Sequence, residues 1–404
     1  MQINFDRLAD KQISYLVGNS TVLENMKNIP VLPMFSEDML AFLAKLSQTL
    51  IEDKRTRAYV DIISYAYWIR KASLEREKGK YQDRDVRMGR GVAFHIAPSN
   101  VPVNFAVSMT SALLAGNGCI IRVSDKTFPQ VTLICEAINK LLQDEFAQLV
   151  PYFCIIRYPH DEEITEYLSS ICDIRIIWGG DQTISKIRKA NLPPRAIELT
   201  FADRYSLAII DADVYLEADE KQVADGFYTD TYYTDQNACS SPRMIIWMGH
   251  QIEQAKKQFW DALKKKVQKE YEIAPIVAVD KYAMFCSLAM KGIPCQWTEE
   301  DDGRLMRVKV EQLSEELMEY KYGAGYFFEY EASVLEEIVP LLGKRCQTVS
   351  VLGVSKTEIY GLVLNYGVRG VDRIVDLGQT MGLEFVWDGF KMIEAMSRVV
   401  YIDK

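Results

Sequence analysis

A chain of 404 residues with 49% hydrophobic and 25% charged residues is typical of a globular protein and is long enough for two domains. Its formal net charge of −9 and its lack of a Lys/Arg stripe interleaved with aromatic residues argue against nucleic-acid binding. The sequence shows no apolar run as long as a membrane span and no signal-peptide pattern at its N-terminus, so we expect a cytoplasmic protein.

In chain order, the segment up to about residue 80 is predicted to be helical, with amphipathic runs at 36–52 and 58–75. Strands are then predicted at 91–98, 118–123, 152–159 and 173–179, and helices at 104–117, 128–143, 161–171 and 183–190. Strands separated by helices of this length predict parallel βαβ units in an open sheet. A second α/β unit begins after the apolar run at 206–214 and contains a long helix at 251–271 and short strands up to about residue 365.

The eight cysteines are scattered without a CxxC pair, and only three histidines accompany them, so neither a disulfide framework nor a metal site is indicated. Four of them (Cys119, Cys135, Cys154 and Cys172) lie in apolar runs, where a thiol acts as a small buried hydrophobic group. Cys239 differs, because it lies in the small polar run QNACSSPR just before an apolar strand.

The sequence WGGDQTISKIRKA places Gly179 and Gly180 between a predicted strand and a predicted helix. Glycines allow a tight turn and a close approach to a ligand, and the unpaired N–H groups of a helix start suit a pyrophosphate. The other interpretation is an ordinary glycine turn in which Asp181 caps the helix. The motif is not a GxGxxG fingerprint and does not decide between the two.

Asn100 follows a predicted strand in the sequence HIAPSNVPVNF. Ligands of such sheets bind beyond the carboxyl ends of the strands, and an Asn amide there can donate to a developing oxyanion. Alternatively, Asn100 caps the next helix or closes a proline turn.

Arg122, Ser124, Asp125 and Lys126 follow the next predicted strand. They can hold a nucleotide ribose, with a cation also meeting a 2′-phosphate, or they form a salt-bridged loop. Glu198 lies within an apolar strand, where an unpaired carboxylate is costly. It is therefore either partnered or a tuned acid/base group.

Taken together, the order of Asn100, Arg122 to Asp125, the glycine pair, Glu198 and Cys239 resembles the aldehyde dehydrogenase superfamily. The segments GVAFHIAPSNVPVNF, IIRVSDK, IIWGGD, QNACSSPR and GVRGVDRIVDLGQTMGLEFVWDGFKMIEAMSR are similar to its branch of LuxC-type bacterial acyl-CoA reductases, from about residue 85 to the C-terminus. The resemblance implies an aldehyde-dehydrogenase-like α/β fold. An N-terminal helical segment with a Rossmann-type nucleotide-binding domain would span 1–200, a catalytic domain 201–365, and a segment returning toward the domain interface 366–404.

The resemblance also implies roles for individual residues. Cys239 would attack the thioester carbon of a fatty acyl-CoA, while Asn100 and the backbone N–H of Cys239 hold the oxyanion. Glu198 is carried over only as a proton donor or acceptor, because ELTFA replaces the superfamily's ELGGK at this point. The implied cofactor-binding residues are Ser99, Arg122, Ser124, Asp125, Trp178, Gly179 and Gly180.

The expected activity is NADPH-dependent reduction of a long-chain fatty acyl-CoA to fatty aldehyde. One alternative is a hydrolytic aldehyde dehydrogenase that uses NAD(P), and another is a non-catalytic acyl-binding subunit that works with an acyl-protein synthetase. The sequence leaves open the acyl chain length, the choice between CoA and a protein as acyl donor, and assembly as a homo-oligomer.

Overall fold

The computed structural model describes residues 5–8, 10–81, 86–299 and 303–403. The chain divides into two compact units, one of Met1–Ala202 with Leu383–Lys404 and one of Asp203–Gly382. Residues 366–382, which the sequence analysis groups with the C-terminal segment, thus lie in the second unit.

The first unit contains strands β1 (Ser14–Val17), β2 (Arg87–Gly89), β3 (Val92–Ile96), β4 (Gly118–Arg122), β5 (Phe153–Arg157), β6 (Ile174–Trp178) and β7 (Ile197–Phe201). Its helices up to β7 are α1 (Ser20–Asn25), α2 (Glu37–Glu52), α3 (Val60–Trp68), α4 (Lys71–Gly79), α5 (Asn104–Leu114), α6 (Pro129–Gln143), α7 (Glu162–Ile171) and α8 (Asp181–Ile187). Short 3-10 helices lie at Phe5–Leu8, Met26–Asn28, Lys54–Ala58 and Ala147–Tyr152.

Six of these strands form one sheet in the order β1-β5-β4-β3-β6-β7, which is parallel except for β1. Successive strand residues face opposite sides, so Phe94 and Ile120 pack on one face while Ala93 and Ile121 pack on the other. Helices cover both faces. The chain runs outward from β3 to β5 and then returns to β6, so a topological switch point lies between β3 and β6.

The second unit contains β8 (Tyr205–Asp211), β9 (Pro242–Met248), β10 (Cys295–Glu299), β11 (Met306–Val310), β12 (Tyr326–Glu331), β13 (Cys346–Leu352) and β14 (Arg373–Asp376). Its helices are α9 (Ala212–Glu217), α10 (Glu220–Asp230), α11 (Ile252–Glu270), α12 (Pro275–Met290) and α13 (Lys356–Tyr366), with 3-10 helices at Tyr232–Thr234, Glu315–Tyr320 and Leu335–Leu341. The seven strands form a sheet in the order β10-β11-β12-β9-β8-β13-β14, in which only the β10–β11 pair is antiparallel.

The C-terminal segment belongs to the first unit and contains β15 (Val386–Trp387), β16 (Phe390–Lys391), α14 (Met392–Ala395) and β17 (Ser397–Val399). β15 and β16 form a hairpin, and β17 pairs with β2. Ile393 and Met396 are fully buried in the core beside α5, which ties this segment to the first sheet.

The structure confirms the predicted alternation of strands and helices in the first sheet and the long helix α11. One prediction was wrong in detail: the run at 58–75 forms two helices, α3 and α4, because the chain leaves the helical path at Ile69 and Arg70. None of the described helices is both long and apolar enough to cross a membrane.

Candidate active site

The carboxyl edge of the first sheet carries eight of the residues singled out from the sequence. Ser99 and Asn100 follow β3, Ser124 and Asp125 follow β4, and Gly179 and Gly180 follow β6, while Arg122 and Trp178 are the last residues of their strands. Because β3 and β6 are neighbours at the switch point, the Asn100 loop and the glycine pair leave the sheet side by side.

Asn100 and Ser99 are exposed in the bend between β3 and α5. α5 begins at Asn104 with Val103 as its N-cap, so Asn100 is not the capping residue of this helix. The capping part of that alternative is therefore wrong, and Asn100 is exposed at the carboxyl edge of the sheet.

Trp178 lies at the same edge, but its indole ring is packed away. The ring stacks on Phe201 at 3.8 Å between centroids, meets Trp387 edge-on at 5.7 Å, and is only 6% exposed. Its Nε1 donates to Ser108 Oγ at 3.1 Å. Because the ring is packed in this way, it fixes the position of Trp178, the last residue of β6. It therefore also fixes the direction in which the chain enters the turn at Gly179 and Gly180.

Gly180 is the N-cap of α8, with φ −67° and ψ 166°, and Asp181 is the first helical residue. The prediction that Asp181 is the cap was therefore wrong. A Cβ added to Gly180 would have no atom within 4 Å, whereas one added to Gly179 would meet Thr183 at 3.2 Å. The backbone of Gly180 thus faces open space that a ligand can fill.

Arg122 is held by Tyr158. Its Nη2 donates to the Tyr158 carbonyl at 3.2 Å, and its guanidinium lies over the tyrosine ring at 4.9 Å. Asp125 lies 3.8 Å from Nη2, and the arginine side chain is 11% exposed. Burial raises the pKa of Tyr158 to about 12, so the ring stays neutral beneath the cation.

Ser124 and Asp125 belong to a short turn beyond β4. Ser124 Oγ accepts from the Lys126 N–H at 3.2 Å, and its carbonyl accepts from Nε of Arg157 at 3.0 Å. Asp125 is exposed. The turn contains the predicted ion pair, and the Asp125 carboxylate stays accessible to a ribose hydroxyl.

Glu198 is the second residue of β7 and lies near the amino end of that strand. Its Oε2 accepts from Nε of Arg175 at 2.8 Å, and its Oε1 accepts from Nε of Arg188 at 2.6 Å. Of the two alternatives left open by the sequence, the structure shows the partnered carboxylate. At about 3.3 Å per residue, Glu198 is about 10 Å along the strand from the carboxyl edge.

Cys239 lies in the second unit, in a turn that enters the amino end of β9, and its side chain is half-buried. The Cys239 carbonyl accepts from Ser206 Oγ at 2.7 Å, and that hydroxyl accepts from the Thr348 N–H at 3.1 Å. The turn is therefore tied to β8 and β13 while the sulfur remains within reach of solvent.

Two residues of this turn were missed by the sequence analysis. Gln236 is fully buried and engages the first residues of β9 and β12, and Arg243 is 7% exposed in β9. The sequence did contain a signal for Arg243, which is a charged residue within the apolar run PRMIIWM. A buried charge of this kind needs hydrogen-bond partners, as the carboxylate of Glu198 does. One partner of Arg243, the carbonyl of Tyr322, is 79 residues away in sequence, and the other is the backbone carbonyl of Gln236, which no side-chain pattern reveals.

The other thiols separate into two classes. The four expected buried cysteines are buried, as is Cys346, and burial raises the pKa of all five thiols. Cys286 is exposed on α12 and Cys295 is half-buried, so exposure alone does not distinguish Cys239 from the other thiols. Cys239 differs from Cys286 and Cys295 because it lies in a turn that hydrogen bonds join to β8 and β13.

His95 is a core residue. Its Nδ1 lies 2.7 Å from Ser108 Oγ, and burial lowers its pKa to about 3. Within the part of the chain that the structure describes, no group of three or more His, Cys, Asp and Glu side chains is placed to hold a metal ion.

Comparison with known proteins bears on the family and the fold. Two similar relatives are long-chain acyl-protein thioester reductases of Aliivibrio fischeri and of Photorhabdus laumondii, each 26% identical, over 295 and 303 residues. Each alignment covers 72% of this chain and 58% of the relative, so the chain spans little more than half the length of these relatives.

Solved structures share the fold at low sequence identity. A benzaldehyde dehydrogenase of Corynebacterium glutamicum matches with a TM-score of 0.66 at 12% identity, covering 96% of this chain and 94% of that one. A glyceraldehyde-3-phosphate dehydrogenase of Methanocaldococcus jannaschii, complexed with NADP, matches with a TM-score of 0.64 at 13% identity, covering 94% and 91%. The fold is therefore that of the aldehyde dehydrogenases. The family model described as acyl-CoA reductase (LuxC) matches residues 16–399, and the chain belongs to that family.

Proposed function

We propose that this protein reduces a long-chain fatty acyl thioester to the fatty aldehyde, with NADPH as reductant and Cys239 as the nucleophile. The observation that carries the proposal is the half-buried thiol of Cys239 in a turn fixed to two strands of the second sheet. A nucleophile must be accessible and held in place, and this thiol meets both conditions.

In the proposed reaction, the Cys239 thiolate attacks the carbonyl carbon of the substrate thioester. The carbon–sulfur bond of the donor breaks, the donor thiol leaves with a proton from solvent, and the acyl group stays on Cys239. A bound reduced nicotinamide supplies the hydride that brings this acyl group to the aldehyde level. Cys239 is released as the thiolate when the carbon–sulfur bond to the acyl group breaks and the aldehyde departs, so it can attack the next thioester. We assign the oxyanion contacts to the Asn100 amide and the Cys239 N–H, by the family resemblance.

The carboxyl edge of the first sheet fits a dinucleotide. The backbone of Gly180 faces open space, and the Asp125 carboxylate is accessible to a ribose hydroxyl. The Arg122 charge favours the 2′-phosphate of NADPH, although the nearby Asp125 opposes it. NADPH is therefore the proposed cofactor, with Arg122 as the residue that decides the preference.

Two acyl donors are consistent with the family. The family model is described as acyl-CoA reductase, whereas the similar relatives are named acyl-protein thioester reductases. We propose fatty acyl-CoA as the substrate, with an acylated protein such as an acyl-protein synthetase as the second candidate donor. Both present the same thioester carbon to Cys239.

A hydrolytic aldehyde dehydrogenase needs a free carboxylate to activate water. Both oxygens of Glu198 are occupied by arginines, and this residue is distant from the ligand-binding edge. This geometry supports reduction over hydrolysis, and we assign Glu198 a structural role.

The test is nucleotide oxidation with a panel of acyl-CoAs of different chain length, in which CoA and aldehyde are assayed separately. Wild type should consume NADPH and release CoA and aldehyde in equal amounts, and Cys239→Ala should do neither while still binding nucleotide. Cys286→Ala is the matched control, because that thiol is exposed on a helix outside the turn. Turnover by Cys239→Ala would overturn the proposal, and turnover only with an acylated protein would identify the second donor.

A further inference from the structure

The loop at 377–382, which follows β14, packs beside the turn that carries Cys239. Met381 Sδ lies 3.9 Å from Ser240 Oγ, and Ser240 follows Cys239 directly in the chain. Ser240 is only 7% exposed, whereas Met381 is half-buried. The thioether side chain therefore forms a partly open apolar surface next to the proposed nucleophile, within the same unit of the chain.

This Met381 loop is attached to the end of α10 by Asp230. The Asp230 carboxylate is fully buried and accepts the N–H groups of Gly378 at 2.6 Å and Thr380 at 2.9 Å. A Cβ added to Gly226 of α10 would lie 3.1 Å from the Cα of Gly378, so the backbone of the loop lies directly on the backbone of the helix. Gly378 has a φ of 86°, which glycine adopts without strain.

Arg373 holds the same loop from the side of β14. Its Nη1 donates to the Thr380 carbonyl at 2.9 Å, and its Nη2 donates to the carbonyls of Gln379 at 3.2 Å and Gly382 at 3.1 Å. These three bonds and the two bonds to the α10 carboxylate fix the backbone on both sides of Met381. The backbone position of Met381 is thus set, while its side chain can still change rotamer.

A long acyl chain on Cys239 needs an apolar surface near the sulfur, because exposure of the chain to water is costly. Consecutive Cα atoms are about 3.8 Å apart, so a group in contact with Ser240 is within reach of such a chain. Methionine suits this contact, since its unbranched and polarisable side chain adapts to the shape of a flexible ligand.

We propose that Met381 is a specificity-determining residue that contacts the acyl chain of the thioester, and that Asp230 is the positioning residue that holds it beside the nucleophile turn. The inference deepens the proposed function and rests on it, because it concerns the acyl chain of the same substrate. The preference of the site for an apolar chain is nevertheless measurable without thioester or nucleotide.

The first test compares alkylation by N-dodecylmaleimide and N-ethylmaleimide, followed peptide by peptide by mass spectrometry. Cys286, which is exposed on α12 of the same molecule, is the internal control. Relative to Cys286, Cys239 should prefer the dodecyl reagent. Met381→Glu should lower this dodecyl-to-ethyl ratio about tenfold, and Met381→Leu, which stays apolar, should keep it. Leu364→Glu is the matched control, because Leu364 is 62% exposed on α13 and its replacement should leave the ratio unchanged.

Asp230→Asn tests the positioning role with the Met381 side chain intact. An amide can accept with only one of its two terminal atoms, so the loop loses one of its two bonds to α10 and the dodecyl-to-ethyl ratio of Cys239 should fall. A purely structural loss would slow both reagents equally and leave the ratio unchanged. Arg373→Lys loosens the loop from the other side and should lower the ratio as well, and an unchanged ratio in a folded protein of either kind contradicts the positioning role.

The second test is acyl-CoA reduction. Met381→Glu should raise the KM for a long-chain acyl-CoA about tenfold while the Kd for NADPH stays unchanged. Reduction with an unchanged KM, or equal dodecyl-to-ethyl ratios for wild type and Met381→Glu, would overturn the inference and leave the proposed function standing. A dodecyl preference that depends on Met381, in a protein that reduces no thioester, would refute the proposed function while the apolar chain contact remained.

Discussion

The carboxylate of Glu198 and the guanidinium of Arg175 are directly opposed on neighbouring strands β7 and β6, with Nε 2.8 Å from Oε2. Nη1 of Arg175 also donates to the carbonyl of Ala190 at 2.7 Å and to Ser169 Oγ at 3.1 Å. The pair thus joins the amino ends of two strands to the last turn of α7 and to the chain that follows α8, and we propose that its role is structural.

Replacement of Glu198 by Gln should therefore lower stability. The change leaves the buried Arg175 charge with neutral acceptors only, at a cost of about 2–4 kcal/mol for this partly exposed pair. Urea unfolding measures the loss. Glu163→Gln is the matched control, since Glu163 pairs with Lys11 on the surface and its loss should lower stability much less. If Glu198→Gln kept wild-type stability but lost one limb of the pH–rate profile, the residue would belong to the chemistry.

A side chain at Gly180 should block nucleotide binding without disturbing the fold. Its φ of −67° suits any residue, and the space beyond it contains no protein atom within 4 Å. Gly180→Val should weaken the Kd for NADPH at least about tenfold, by about 1.4 kcal/mol, with an unchanged Tm. Gly361→Ala, at an equally open glycine of α13 in the second unit, should leave the Kd unchanged. Wild-type affinity in Gly180→Val would exclude this edge as the nucleotide site.

Arg122 should decide between NADPH and NADH. Arg122→Ala removes the cation held over Tyr158 and should weaken NADPH more than NADH, measured as separate Kd values by fluorescence titration. Lys126→Ala is the comparison at the exposed end of the same turn. An equal loss for both nucleotides would leave Arg122 with a ribose contact only.

Asp230 should make stability fall as the pH rises from about 4 to about 6. It is fully buried at the end of α10, and burial raises its pKa from 3.8 to about 6. Between these values the unfolded chain loses the proton while the folded chain keeps it, so folding becomes less favourable, and the penalty is complete above the folded pKa. The slope of Tm against pH in this window, compared with Asp230→Asn, measures the effect.

Asp230→Asn should be less stable than wild type near pH 4, where the carboxyl group is uncharged, because Asp230 accepts the N–H groups of Gly378 at 2.6 Å and Thr380 at 2.9 Å and an amide can accept only with its oxygen. Its Tm should nevertheless lose the slope between pH 4 and 6. If Asp230→Asn retained the full slope of Tm against pH, other carboxyl groups would be responsible for that slope.

The first sheet was predictable because its strands and helices follow one another with clear periodicity, and each strand end brings polar residues to one edge. The ion pair of Glu198 could not be predicted from the sequence, since its partner Arg175 lies in another strand and the pairing depends on the register of β6 against β7. The support of Cys239 was hidden for a related reason: Gln236 engages backbone groups of Tyr326, 90 residues away, which no local pattern reveals.

The C-terminal segment has a consequence for how the chain is made. β17 completes a ladder with β2, and Nε of Arg87 donates to Ser397 Oγ at 2.8 Å across 310 positions of sequence. The Asn117 amide likewise reaches the Met396 carbonyl at 2.9 Å. On the ribosome, residues 203–382 emerge before these contacts can form, so the second unit has all of its residues first. The first unit is completed later, because β2 has no β17 to pair with until residues 397–399 have been synthesised.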